Sequence, residues 1–311
     1  MTTHIWQVES QDADTRLDKW LADAARLGSR SRAFDAIAKG KVYVNAIEQT
    51  SQDAGRKIIP GESIKVWVDK PGSAKHRAFT ERKTSKLHLV YEDEAMLVIN
   101  KPAGMLTVHL AKHPFEETLF DIVCEHVEER SKEKPLIVHR IDRDSSGLVV
   151  FAKTQPAREK LKTQFFTRQA QRTYRAVVYG CPKPDKGEWR DFLVWDEEKL
   201  VQRSSFAYDR EAKEAKCSYE VLNKLKDASY LEVKLLTGKQ NQIRAQAALH
   251  GHPLVGEKQY ISATAKPPVI VFPRQALHAF RLEFAHPING NILKFEAAVP
   301  SDLEGLVKKL R

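Results

Sequence analysis

The sequence predicts an α+β protein in two unequal parts. Three observations lead there. A compact N-terminal region combines two short amphipathic helices with β-like runs, a stretch rich in cations and turn formers follows near residue 71, and beyond it β-rich runs succeed one another with only occasional helices. A chain of 311 residues suits one large domain or two unequal ones. The expected boundaries are a small α/β domain at 1–70, a basic linker at 71–87 and a sheet domain at 88–311.

In the first region Asp14 or Thr15 can cap a helix whose apolar positions are Leu17, Trp20, Leu21 and Ala24. A second helix starts at Ser29 or Ser31, carries Phe34, Ile37 and Ala38 on one face and ends at Gly40. Alternating apolar residues make Lys41 to Asn45 and Ile64 to Val68 strands. The segment from Lys70 to Leu87 holds Pro71, Gly72, Ser73, Lys75, Arg77, Arg82, Lys83 and Lys86 against one acid, Glu81. Its charge suits a phosphate backbone, or merely keeps a tether solvated. Farther on, Leu97 to Asn100, Gly147 to Ala152, Tyr174 to Tyr179 and Tyr230 to Leu235 read as strands. Phe115 to Glu128 and Pro156 to Arg168 read as helices.

Hydrophobic residues make up 42% and charged residues 30%, a globular composition that excludes collagen-like, coiled-coil and mostly disordered chains. The balance of 51 cations over 41 acids gives a net charge of +10. That excess points to an anionic partner, nucleic acid or a membrane surface, unless the protein is simply basic. Cys124, Cys181 and Cys217 are too scattered for a zinc site or a disulfide framework, so reduced thiols in the cytoplasm are expected. The opening MTTHIWQVESQDADTR lacks the pattern of a signal peptide, and no apolar run approaches the ~20 residues of a membrane span. A soluble monomer without membrane attachment is expected.

Arg26, Arg30, Arg32, Lys39 and Lys41 cluster around the second helix, a face that could track phosphates or simply stay solvated. The run from Thr15 to Asp69 resembles the RNA-binding domain named after ribosomal protein S-four. The likeness lies in Arg16-Leu17-Asp18, the Ser31-Arg32 helix start, Gly40-Lys41-Val42-Tyr43-Val44-Asn45 and Pro60-Gly61-Glu62. It implies that Arg30, Arg32, Lys39 and Lys41 contact structured RNA, held largely by shape and backbone.

No zinc helix, dinucleotide fingerprint or phosphate loop is present, and no metal site is expected among the 11 histidines. Gly251-His252-Pro253-Leu254-Val255-Gly256-Glu257-Lys258 imitates phosphate-loop spacing, but Glu257 stands where Lys is required, so it reads as a turn. The richest segment is Val138-His139-Arg140-Ile141-Asp142-Arg143-Asp144-Ser145-Ser146-Gly147, a polar cluster just before an apolar strand. Such a loop holds Asp142 near a sheet edge with cations close enough to keep it ionised; taken alone, it is more simply a salt-bridged turn.

That segment closely resembles the HRLDRxTSG motif of RluA-type RNA pseudouridine synthases, with Ser145 for the commoner Thr. Further likenesses follow in order: Asn100-Lys101-Pro102-Ala103-Gly104, Arg172-Thr173-Tyr174-Arg175-Ala176-Val177-Val178-Tyr179-Gly180, Thr237-Gly238-Lys239-Gln240-Asn241-Gln242-Ile243-Arg244, Leu277-His278-Ala279 and His286-Pro287. The resemblance implies a mixed, largely antiparallel β-sheet domain that converts uridine to pseudouridine without a cofactor, in ribosomal RNA first and transfer RNA second. It implies that Asp142 is the catalytic residue, paired with Arg244, and that Tyr174 stacks on the flipped base. By the same resemblance Ile243 forms an apolar wall, and Arg140 fills the space the uridine leaves. Lys239 for Arg, with Asn241 and Gln246 for His, departs from the pattern and bears on RNA contacts or substrate choice. Attack by the carboxylate on the anomeric carbon and abstraction of a ribose proton both remain open.

Overall fold

The structure is a computed structural model and describes residues 3–67, 87–110, 116–128, 134–261 and 270–311. The chain divides into two compact units, Met1–Thr84 and Ser85–Arg311. Nearly all of the expected linker at 71–87, and Phe115 at the start of an expected helix, lie outside the described residues.

In the first unit β1 (Thr3–Gln7), α1 (Leu17–Leu21), α2 (Arg30–Ala38), β2 (Val42–Val44), β3 (Ile47–Glu48) and β4 (Ser63–Trp67) follow in order. The strands form an antiparallel sheet in the order β1-β4-β2-β3. Leu17, Trp20 and Leu21 pack with Ala33, Ile37, Val42, Val44, Ile64 and Val66 in one core. The first helix is shorter than its apolar spacing suggests, and Ala24 is exposed beyond its end. Neither Asp14 nor Thr15 caps it. The backbone of both residues bonds to Ile58, and Arg16 takes the cap position. For α2, Ser29 is the cap, its side chain accepting the Arg32 N–H. The buried face is Ala33, Ala36 and Ile37, spaced i, i+3, i+4; Ala38 is exposed.

The second unit comprises β5 (Leu89–Glu92), β6 (Met96–Lys101), α3 (Leu119–Glu128), β7 (Leu136–Ile137), β8 (Ser146–Ala152), α4 (Gln155–Phe166), β9 (Gln171–Tyr179) and β10 (Lys186–Asp196). There follow β11 (Val201–Ser205), β12 (Lys213–Leu225), β13 (Ala228–Leu235), α5 (Gln242–Leu249), β14 (Leu277–Ala285), β15 (Ile292–Glu296) and α6 (Ser301–Leu310). One sheet runs β11-β10-β12-β13-β9-β14-β8-β6-β5, with β15 beside β14 and β7 beside β8. Among the described pairs only β8–β14 is parallel, so the sheet is mixed and largely antiparallel, as expected.

The centre is covered on both faces. Leu97, Ile99, Val149 and Phe151 join α3 residues Leu119, Val123 and Val127 in one core, while Met96, Val98, Leu148 and Val150 join Ala157 and Leu161 of α4 in another. Strand alternation produces that division: successive residues face opposite sides. It leaves the β8 entrance, β9 and α5 to meet over one cavity.

Candidate active site

The loop before β8 is fixed from several directions. Lys101, fully buried at the end of β6, donates to the carbonyls of Pro102 (2.8 Å), Met105 (2.7 Å) and Arg143 (2.9 Å). Burial pulls its pKa down to about 7, opposed by Asp142 and Asp144. The three carbonyls also oppose deprotonation, since they use all three hydrogens of the ammonium. Thr107 Oγ1 donates to the Ile141 carbonyl at 2.8 Å, and Arg274, bidentate to Asp302, donates Nη1 to the Asp144 carbonyl at 3.1 Å. Arg143 is held by Glu116. At the loop exit Gly147 has φ +113°, and a Cβ there would collide with the Ala279 backbone across the parallel β8–β14 pair. Only glycine fits.

Asp142 emerges from this frame opposite Arg244. The Arg244 Nη1 donates to Asp142 Oδ2 at 3.3 Å, a long contact for a charged pair. The stronger partner is Glu257, which accepts Nε at 2.8 Å and Nη2 at 2.7 Å; Nη2 also reaches Gln259 Oε1 at 3.0 Å. Glu257 is anchored in turn by the Lys258 and Gln259 N–H groups at 3.0 and 2.9 Å. Arg244 is therefore fixed mainly by an acid inside the segment that read as a plain turn. Nearby cations favour the ionised form of Asp142, as expected, but they act against burial. Burial pushes its pKa up, Arg244 and Arg140 only partly counter this, and Glu257 adds to the rise.

Arg140, Asp142, Tyr174, Lys239, Ile243 and Arg244 all line a single cavity of about 300 Å³. Tyr174 projects from β9 and Ile243 from the first turn of α5; both are buried. Burial raises the Tyr174 pKa, which keeps the phenol neutral at neutral pH. Arg140 is exposed and Lys239 half-buried; burial, then Lys213 and Arg168, lower the Lys239 pKa. Two residues of the site escaped sequence reading. Glu257 is one. Arg172 is the other: it lines the cavity, donates Nη2 to the Thr237 carbonyl at 3.3 Å, and has a buried Nε without a partner among the described residues. Its place two residues before Tyr174 on the same strand, hence on the same face, was the available signal.

The three departures separate in space. Lys239 and Asn241 line the cavity, whereas Gln246 is fully buried and lies outside it. The Gln246 amide donates to the Trp189 and Ala215 carbonyls and to Asp191, and accepts from Gln242, so it fastens α5 to β10 and β12. In the first unit Arg30 pairs with Asp18 at 3.0 Å and Lys39 with Asp35 at 2.7 Å, while Arg32 is exposed and Lys41 half-buried. Among the described residues no group of three His, Cys, Asp or Glu side chains could hold a metal ion, and no helix is long and apolar enough to cross a membrane.

Known proteins resemble this chain over most of its length. The pattern of the RNA pseudouridylate synthase family matches residues 95–249. An uncharacterised RNA pseudouridine synthase of Bacillus subtilis is 35% identical over 300 residues, covering 95% of this chain and 94% of its own. The ribosomal large subunit pseudouridine synthases D of Zymomonas mobilis and Neisseria meningitidis are 35% and 37% identical, over 95% and 96% of this chain and 93% and 79% of theirs. In fold, the human RNA pseudouridylate synthase domain containing 4 superposes with a TM-score of 0.60 at 20% identity, covering 72% of this chain and 92% of its own. Likeness of this extent, running the length of the chain, makes it a member of the RNA pseudouridine synthase family, enzymes that isomerise uridine within RNA.

Proposed function

We propose that this enzyme modifies selected uridines in ribosomal RNA, with Asp142 as its catalytic residue and no cofactor. The observation that carries the reading is the convergence of Asp142, Tyr174 and Arg244, from three distant segments, on one cavity. The relatives named for the large ribosomal subunit support the choice of RNA.

In the reaction the bond from the anomeric carbon to N1 breaks, the base turns within the cavity, and C5 bonds to the same carbon. N1 gains a proton and C5 loses one. The product is an isomer, so the balance requires no oxidant, reductant or donor. Asp142 either attacks the anomeric carbon or removes a ribose proton to give a glycal. Arg244 aims the carboxylate. Tyr174, neutral and buried, stacks on the flipped base, while Ile243 walls the base from below and Arg140 occupies the vacated stack. Lys239 and Arg172 supply positive charge for phosphate. Extruding the base costs a few kcal/mol, which phosphate contacts elsewhere on the RNA offset. The first unit, resembling the S-four-type domain, supplies such contacts through Arg30, Arg32, Lys39 and Lys41. Arg30 and Lys39 do so by exchanging their carboxylate partners for phosphates.

The test is conversion of unmodified ribosomal RNA and transfer RNA transcripts by the purified protein, read as pseudouridine per molecule. Conversion of the ribosomal transcript at discrete sites, abolished in Asp142→Asn, is expected. Conversion confined to transfer RNA would move the substrate, and activity surviving in Asp142→Asn would remove the catalytic assignment.

A further inference from the structure

Beyond the cavity, the connection between β11 and β12 presents two aromatic rings to solvent. Phe206 is 66% and Tyr208 83% exposed. A single exposed aromatic residue needs no explanation. These two lie parallel, 2° apart in plane with centroids at 5.3 Å, and they stand on a built turn. Asp209 organises it: its carboxylate accepts Ser205 Oγ at 2.5 Å and the Glu211 N–H at 3.0 Å. Its own N–H bonds the Phe206 carbonyl at 3.1 Å, and its carbonyl accepts the Ala212 N–H at 3.1 Å. The turn that carries the rings is thus ordered by its own hydrogen bonds, and the rings, exposed, stack on each other.

The turn is continuous with the cavity wall. Asn241, which lines the cavity, donates Nδ2 to Tyr260 Oη at 3.3 Å, and the same oxygen accepts the Gln202 N–H of β11 at 2.8 Å. Phe206 follows Gln202 by four strand residues, about 13 Å along the chain. Ser205 and Lys213 pair with adjacent β10 residues, Phe192 and Leu193, from opposite sides, which sets them about two strand spacings, ~10 Å, apart. Lys213 in turn lies close enough to the cavity residue Lys239 to depress its pKa, as does Arg168. Lys239, Lys213 and Arg168 thus group cations at the cavity mouth, with Glu214 the nearby acid, and Lys213 lies on the side of the stacking surface. Backbone-tracking cations beside sequence-tolerant aromatic faces are what unpaired nucleic acid requires.

We propose that Phe206 and Tyr208 form a stacking platform for an unpaired base flanking the target uridine, with Lys213 and Arg168 holding the intervening phosphates. The inference rests on the RNA reading of the cavity. It adds a second point of grip, which favours targets in loops over targets inside helices.

The probe is an unmodified ribosomal RNA transcript, used with wild type, Phe206→Ala/Tyr208→Ala and Phe206→Leu/Tyr208→Leu. Single-turnover pseudouridine formation and filter binding are measured in parallel. For both double variants the half-saturating RNA concentration should rise on the order of tenfold, with the saturating rate kept within about twofold. Unchanged half-saturation in the alanine variant overturns the platform. So does wild-type behaviour of the leucine variant, since an apolar contact would then suffice. Altered sedimentation of the protein with RNA binding intact would reassign the surface to a protein partner. A wild type that converts no uridine refutes the proposed activity, and the binding arm then still decides the platform.

Discussion

Asp142 sits between a desolvating cavity wall and a guanidinium whose charge is already engaged elsewhere. Its raised pKa follows from that competition, and it has two measurable consequences. If the carboxylate is the reacting form, the single-turnover rate rises with pH along a limb whose midpoint lies above the ordinary aspartate value. Glu257→Gln removes the negative charge that pushes Asp142 up and frees Arg244 to favour it, so the limb should move to lower pH. A limb that stays put would disconnect Glu257 from the site. The second consequence concerns stability. Below about pH 3.8 the folded and unfolded chains both hold the Asp142 proton. Between there and the raised value only the folded chain does, so this group's contribution to stability falls as pH rises through that window. Asp142→Asn leaves Arg244 on Glu257 and should melt higher than wild type at pH 7, with the difference closing towards pH 4. Equal melting at both pH values would contradict the desolvation account.

At the scale of elements, the site depends on how β6, β8 and β14 hold the loop between them. Lys101→Met would remove the donor shared by the Pro102, Met105 and Arg143 carbonyls; the Arg143 oxygen keeps the Gly104 N–H, so two acceptors lose their partner. Unsatisfied acceptors cost roughly 1–3 kcal/mol each, so a loss of about 2 kcal/mol or more is expected in denaturant unfolding of the full chain. A loss under about 1 kcal/mol would mean that the loop does not depend on this brace. The Asp142 loop, Tyr174 and Arg244 were legible in the sequence because each falls within a short motif on one element. The brace was not, because three acceptors on two segments become neighbours only after folding. Glu257 was hidden for a similar reason. Compared with a phosphate loop it looked like a disqualifying residue, and only the fold carries its carboxylate to Arg244. The pairing of Arg30 with Asp18 likewise joins two helices that periodicity describes separately. The long strands β10 and β12 went unread because charged and polar residues interrupt β12 throughout and fill the first half of β10, ahead of its apolar run Phe192 to Trp195.

For the whole molecule, the excess of ten positive charges and the first unit's own separate core point to a division of labour between chemistry and grip. The second unit has its own sheet and two-sided core, so it should fold without residues 1–84. That truncation should keep its saturating single-turnover rate, bind ribosomal RNA more weakly, and show a shallower fall of affinity with salt, since fewer phosphates are neutralised. An unchanged affinity and salt slope would remove the first unit from substrate binding. The central claim, that Asp142 drives uridine isomerisation at specific sites in ribosomal RNA, is tested most directly by mapping pseudouridine in total RNA. The cells to compare carry a deletion of the gene, restored with wild type or with Asp142→Asn. Discrete ribosomal sites that vanish on deletion and return only with wild type are the predicted result; sites that all persist in the deletion, or return equally with Asp142→Asn, would contradict it.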